Sequence, residues 1–324
     1  MNNLRIFSGN ANPELARKVC AVLEVEMSKA LMTTFSDGES RAEINENVRG
    51  TDIFIIQPTC PPVNHNLMEL LILIDAAKRA SAKSITVVTP YFGYARQDRK
   101  VKPRTPITAK LVANLITTAG AHRVITIDLH AGQIQGFFDL PMDNLFGRKV
   151  FTPENSLVAR MIADDPSNFV IVSPDAGGME RARALAKQFS SATTVAMIDK
   201  RREGPNKSEV MNIVGNVCGK KTLLFDDMVD TGGTTANAAN ALMNNGAKEI
   251  YSMCIHPVLS GQAVSKIENS PIIKQIVTDT IPLNQKAYQS GKFEVLTISK
   301  LLGEAIKRIH KNESVSDLFD EPEK

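Results

Sequence analysis

Short runs of Val, Ile and Leu return along the chain, each followed by a segment with helical spacing of apolar residues. This alternation constrains the fold more than any other feature. The runs are "DIFIIQP" from 52, "SITVVTP" from 84, "RVITIDLH" from 123, "FVIVSPD" from 169, "TTVAMID" from 193, "KTLLFDD" from 221 and "EIYSMCIHP" from 249. Near-continuous apolar runs of this length suit strands buried on both faces. Helical patterns lie between them at 64–81, 106–120, 178–190 and 234–246, the last closing on Gly246. The alternation predicts an α/β fold of mostly parallel sheets flanked by helices.

A length of 324 residues is about two domains' worth. Two stretches echo each other, "VVTPYFGYARQDR" at 87–99 and "VIVSPDAGGMERAR" at 170–183, which is consistent with two similar α/β halves. Pro, Gly and Asn breaks in "PMDNLFGRKVFTPEN" put the junction near 145–155. Domains of 1–148 and 149–324 are expected, with the final helix able to pack back on the first. The 38 basic and 35 acidic residues leave a formal charge of only +3, so neither nucleic acid nor a membrane surface is an expected partner. No apolar run approaches the roughly twenty residues that span a bilayer. The cysteines Cys20, Cys60, Cys218 and Cys254 form no metal-spaced pair, and "MNNLRIFSGN" has no signal-peptide pattern. A reduced, cytoplasmic protein is expected.

The most informative stretch is "LLFDDMVDTGGTT" at 223–235, where a strand pattern runs into acids, then glycines and hydroxyls, then an Ala-rich helix. In open parallel sheets ligands bind beyond the carboxyl ends of strands. There Thr231, Gly232, Gly233, Thr234 and Thr235 can wrap N–H groups and hydroxyls around a phosphate at a helix start. Asp226 and Asp227 suit polyol hydroxyls or a hydrated divalent ion. The set describes a pentose phosphate. The plainer alternative is N-cap and turn acids with loop-shaping glycines.

Four other segments carry chemistry. In "FSDGE", Phe35 could stack on a purine while Asp37 and Glu39 accept from its amine, or the segment is simply a turn. "YARQDRKVKPR" gathers Arg96, Arg99, Lys100, Lys102 and Arg104, suited to a triphosphate or to a solvated face. His130 of "IDLHAGQ" can ligate a metal or be structural. "DKRREGPN" places Lys200, Arg201 and Arg202 before Gly204 and Pro205, a basic loop that could be a binding element or an exposed turn. No Walker A string occurs, which argues against a P-loop kinase.

With these motifs, "VSPDAGG" at 172–178, and agreement from "FSGNANPELA" to "AIKRIH", the chain resembles the class I ribose-phosphate diphosphokinase (phosphoribosyl-pyrophosphate synthetase) family. The resemblance implies two type I phosphoribosyltransferase-like domains. It implies transfer of the diphosphoryl group of MgATP to ribose 5-phosphate. By resemblance Phe35, Asp37, Gly38, Glu39, Arg96, Gln97 and His130 bind ATP, while His130 and Asp175 hold Mg2+, with Asp128 beside them. Arg202, Asp226, Asp227, Asp230, Thr231, Gly232, Gly233 and Thr234 bind ribose 5-phosphate, and Lys200 and Arg202 are the catalytic cations. A homohexamer activated by inorganic phosphate and inhibited by ADP is also implied, and Arg104 with Arg49 and Ser81 is the expected regulatory anion site. Glu203-Gly204 departs from the family's usual loop. A nucleobase phosphoribosyltransferase would share 223–235 without needing the ATP elements. A non-catalytic regulatory subunit would show lost cations or an insertion at 199–206.

Overall fold

A computed structural model describes residues 3–201 and 210–319. The chain divides into two compact units, Met1–Gly147 with Thr280–Pro282 and Thr297–Lys324, and Arg148–Asp279 with Leu283–Leu296.

The first unit opens with β1 (Leu4–Ser8), α1 (Pro13–Leu23) and a separate antiparallel hairpin of β2 (Ala30–Thr34) and β3 (Ser40–Ile44). It continues through β4 (Asp52–Ile56), α2 (Val63–Arg79), β5 (Ser84–Thr89), α3 (Thr108–Ala119), β6 (Arg123–Ile127) and β7 (Met142–Leu145). The sheet is wholly parallel and keeps chain order, β1-β4-β5-β6-β7. Its core lies between the strands and the apolar stripes of the helices, such as Leu70, Leu73, Ile74 and Ala77 of α2 against Ile53, Ile55, Ile85 and Val87. Asn12 starts α1 by accepting the Leu15 N–H at 3.2 Å, with Pro13 in the first turn. β7, "MDNL", has no apolar pattern to announce it. Its polar residues are buried but bonded, Asp143 to Arg123 at 2.5 Å and Asn144 to the Leu129 N–H at 3.0 Å.

The second unit runs α4 (Leu157–Asp164), β8 (Phe169–Ser173), α5 (Met179–Phe189), β9 (Thr194–Arg201), β10 (Val210–Val214), β11 (Lys221–Val229) and α6 (Gly233–Asn244). Then come β12 (Glu249–Pro257), α7 (Ala263–Glu268), β13 (Ile272–Thr278), α8 (Gln285–Gln289) and β14 (Phe293–Leu296). The sheet order is β10-β9-β8-β11-β12-β13-β14, parallel except for β9 with β10. Winding therefore reverses once: β9 lies on one side of β8, and β11 and its successors on the other. Such a switch point opens a crevice beyond the strand ends, between β8 and β11. The runs read as strands at 52, 84, 123, 169, 193, 221 and 249 all lie in these sheets.

The chain then returns to the first unit as α9 (Ser299–His310), which packs on α1. Gly303 makes the close approach possible, since a side-chain carbon there would stand 2.7 Å from Val22 Cγ1. His310 Nδ1 meets Asp52 Oδ2 at 3.1 Å. Among the described residues no helix is long and apolar enough to cross a membrane, and all four cysteines are free thiols.

If α9 is integral to the first unit, Leu302→Ala, which empties a fully buried site, should destabilise the protein by about 2–5 kcal/mol. Exposed Lys311→Ala should change it by less than about 0.5 kcal/mol. Denaturant unfolding of the two variants checks this.

Candidate functional site

The crevice between β8 and β11 collects the second unit's candidate residues. β11 pairs with β8 only as far as Leu224 with Val172, but follows β12 out to Val229 with Pro257. Asp226 and Asp227 therefore lie in the strand, beyond the β8 ladder, and the strand continues past the acids that close the run read from the sequence, to Val229. This also removes the N-cap alternative for them, since the residue preceding α6 is Gly232. Asp226 is half-buried and Asp227 buried, with the Asp227 N–H donating to Asp226 Oδ1 at 2.9 Å. Burial and the Asp227 carboxylate push Asp226 up to about 8, against a lowering pull from Arg181. Arg181, on α5, stands 3.5 Å from Asp227 Oδ1. Nothing local in the sequence marks it, since its approach depends on α5 lying over β8 and β11.

After Asp230 the chain turns into α6. Gly232 has φ +71°, and a Cβ there would lie 2.9 Å from the Ala263 carbonyl oxygen and 3.0 Å from its Cα. Glycine is thus required at 232 by the turn and by α7, apart from any ligand. Gly233 is half-buried, and a Cβ there would make ordinary contacts with Lys266 Nζ at 3.7 Å and Thr231 Oγ1 at 4.0 Å. Lys266 also donates to the Thr231 carbonyl at 3.1 Å, another cation the motif did not reveal. The start of α6 has no side-chain cap, so the first-turn N–H groups are directed at whatever binds there. Thr231 and Thr234 are exposed and Asp230 half-buried. Across the crevice, exposed Asp175 accepts the Gly178 N–H on Oδ1 at 3.0 Å, while Ser173 Oγ donates to its carbonyl at 2.6 Å.

In the first unit, Phe35, Asp37, Gly38 and Glu39 form the exposed tip of the β2–β3 hairpin. Turn and ligand readings coexist there: Asp37 Oδ1 accepts the Glu39 N–H at 3.1 Å, and the Phe35 ring, half exposed, lies 5.9 Å from the Arg41 guanidinium. Arg96 and Gln97 are exposed on the loop after β5. Gln133, in the short helix after β6, donates to Asp98 at 2.8 Å, joining the "ARQD" loop to the loop of half-buried His130. Asp128 is spent within the fold, buried with Oδ2 accepting the Gly147 N–H at 2.5 Å. Arg49 and Ser81 are brought near each other by the Gly50 N–H bond to the Ser81 carbonyl at 3.0 Å, and Arg104 sits at φ +62° on its own loop.

The basic cluster differs from its expected loop. β9 extends through Lys200 and Arg201, which pair with Met211 and Val210 of β10. Arg202, Glu203 and Gly204 lie outside the described residues. Among the described residues no group of three or more His, Cys, Asp or Glu is arranged to hold a metal. A single exposed carboxylate such as Asp175 instead suits Mg2+ that arrives with phosphates and keeps much of its water.

Residues 4–120 match the family described as the N-terminal domain of ribose phosphate pyrophosphokinase, and residues 186–320 the phosphoribosyl synthetase-associated domain. The chain is 53% identical over 317 residues to a ribose-phosphate pyrophosphokinase of Bacillus subtilis (strain 168), covering 98% of this chain and 97% of that protein. It is 53% identical over 319 residues to a ribose-phosphate pyrophosphokinase of Campylobacter jejuni, covering 98% and 100%. The crystal structure of phosphoribosylpyrophosphate synthetase from Mycobacterium smegmatis matches with a TM-score of 0.88 at 40% identity, covering 96% of this chain and 99% of that one.

The raised Asp226 predicts a pH signature. From 3.8 up to about 8 the folded protein keeps a proton there that the unfolded chain has released. The stability this proton contributes is complete below 3.8 and lost as pH rises through about 8. Asp226→Asn should therefore gain thermal stability relative to the parent as pH is raised from about 5 to about 9, then level off. Calorimetry of both proteins across that range checks it; a constant difference would remove the shift.

Proposed function

The chain belongs to the ribose-phosphate pyrophosphokinase family, and on that premise we propose how its residues carry out the family's reaction. The protein transfers the diphosphoryl group of ATP to the C1 hydroxyl of ribose 5-phosphate, giving 5-phosphoribosyl 1-pyrophosphate and AMP for nucleotide biosynthesis. The observation that carries the assignment of the sugar site is the switch-point crevice, where β11, with the Asp226–Asp227 pair, leads into an α6 start that has no side-chain cap.

The 5-phosphate sits on Thr231, Gly232, Gly233 and Thr234, with Asp230 closing the loop. Asp226 and Asp227 take the ribose hydroxyls as acceptors, with burial and the neighbouring Asp227 carboxylate holding Asp226 above the usual carboxylate range. Adenine stacks on Phe35, with Asp37, Gly38 and Glu39 around its amine, and Arg96, Gln97 and His130 engage the phosphates. Attack by the C1 oxygen on the β-phosphorus forms one P–O bond and breaks the bond to the AMP oxygen, and the hydroxyl proton is released. Lys200 and Arg202 stabilise the charge that builds on the transferred group and on AMP. Asp175 and His130 are the residues that would hold Mg2+, which when bound with ATP neutralises phosphate charge. The "FSDGE" and "ARQD" elements, unneeded by a nucleobase phosphoribosyltransferase, and the retained Lys200 and Arg202, unneeded by a regulatory subunit, favour the synthetase. We further propose a cytoplasmic homohexamer, with inorganic phosphate and ADP acting at an anion site of Arg49, Ser81 and Arg104.

Protein mixed with MgATP and ribose 5-phosphate should yield AMP one-for-one with 5-phosphoribosyl 1-pyrophosphate; ADP in place of AMP would sink the reading. If Lys200 acts on the transition state, Lys200→Ala should lower kcat by about two to three powers of ten while equilibrium nucleotide binding survives. Adding Arg202→Ala should cost less than the sum of the single losses. Steady-state rates with binding titrations decide; near-normal turnover in Lys200→Ala would return the cluster to an exposed basic turn.

A further inference from the structure

The sugar-phosphate loop has an electrostatic deficit that its own sequence does not correct. Residues 226–236 include Asp226, Asp227 and Asp230 but no Lys or Arg. A substrate phosphate bound there would add about two negative charges, while a helix start offers only about half a positive charge. Arg181 is directed at Asp227 and partly cancels that carboxylate. A cation brought to the loop by another element would offset part of the remaining charge.

We infer that Lys266 is that cation, a positioning residue that holds the substrate's 5-phosphate over Gly233; the inference rests on the ribose 5-phosphate reading above. Lys266 stands on α7, which is firmly seated: Ala263 and Ile267 are fully buried, and the Ala263 backbone fits against Gly232 where a Cβ would collide. From this base Nζ reaches the Thr231 carbonyl at 3.1 Å and stands beside Gly233, 3.7 Å from where its side-chain carbon would be. An ammonium has three N–H donors. One is on Thr231, which leaves donors for phosphate oxygens arriving at the α6 start. The same bond tethers the loop to α7, so the lysine both shapes the phosphate cradle and charges it.

The test compares Lys266→Met, which removes the charge but keeps much of the stem, with Lys266→Arg, which keeps the charge. In Lys266→Met the KM for ribose 5-phosphate should rise about ten- to a hundredfold, the scale of a charged hydrogen bond, with kcat and the KM for ATP within about twofold. Calorimetric titration with ribose 5-phosphate should show the same loss, and Lys266→Arg should recover most of it. An unchanged ribose 5-phosphate KM in Lys266→Met overturns the inference. So does an equal loss in Lys266→Met and Lys266→Arg, or a parallel loss for both substrates, either of which marks a purely structural brace. Failure of the parent protein to make AMP and 5-phosphoribosyl 1-pyrophosphate would instead overturn the underlying functional reading.

Discussion

The candidate site of the second unit depends on one mismatch of ladders. β11 keeps hydrogen bonding to β12 through Val229, whereas its ladder with β8 stops at Leu224. Over the remaining residues one side of β11 is held rigidly by its neighbour, and the other faces the crevice opened by the reversal of winding. Carboxylates in that stretch are fixed by regular strand geometry, beyond the β8 ladder. Their proximity is costly, because two acids pressed together in a partly desolvated place resist ionising. The raised Asp226 and the approach of Arg181 to Asp227 are both responses to that cost.

The first unit solves a different problem. Its strands follow chain order without reversal, so the sheet has no comparable switch point. Its candidate ATP residues are instead on projections, the β2–β3 hairpin and the loops after β5 and β6. Holding a hairpin that joins neither main sheet requires anchors. The fully buried Glu69 carboxylate accepts from Asn10 N (3.1 Å), Asn10 Nδ2 (2.6 Å) and Gln57 Nε2 (3.0 Å), and lies 3.3 Å from His65 Nε2. Asn10 in turn reaches the Met32 carbonyl of β2 at 3.4 Å. A buried acid is tolerated when its oxygens are bonded this fully, and here the bonds run toward the strand that leads to Phe35.

Parts of this were legible in the chain. The apolar runs of β4, β5, β6, β8, β9, β11 and β12 stand out because strands covered on both faces are mostly apolar. β7 does not, because its Asp143 and Asn144 are satisfied by partners far along the chain. The acids at 226 and 227 were visible as the close of an apolar run, but the strand's continuation to Val229 was not, since a strand's end is set by its neighbours. Lys200 and Arg201 were likewise readable as a basic cluster, whereas their pairing with β10 is a property of the hairpin.

The sequence by itself determined the α/β class and the family, and marked 223–235 as a candidate phosphate loop, because these rest on local pattern: apolar run length, glycine at a helix start, acids next to hydroxyls. Only the tertiary structure decided that β9 and β11 flank β8 on opposite sides, that α9 returns to α1, and that Arg181 and Lys266 come to the acids and to the phosphate loop. The physical reason is that strand order and helix docking are chosen by the burial of whole faces against distant partners. A cation's role depends on what those faces bring within a few ångströms of it, and nothing in its sequence neighbourhood records that.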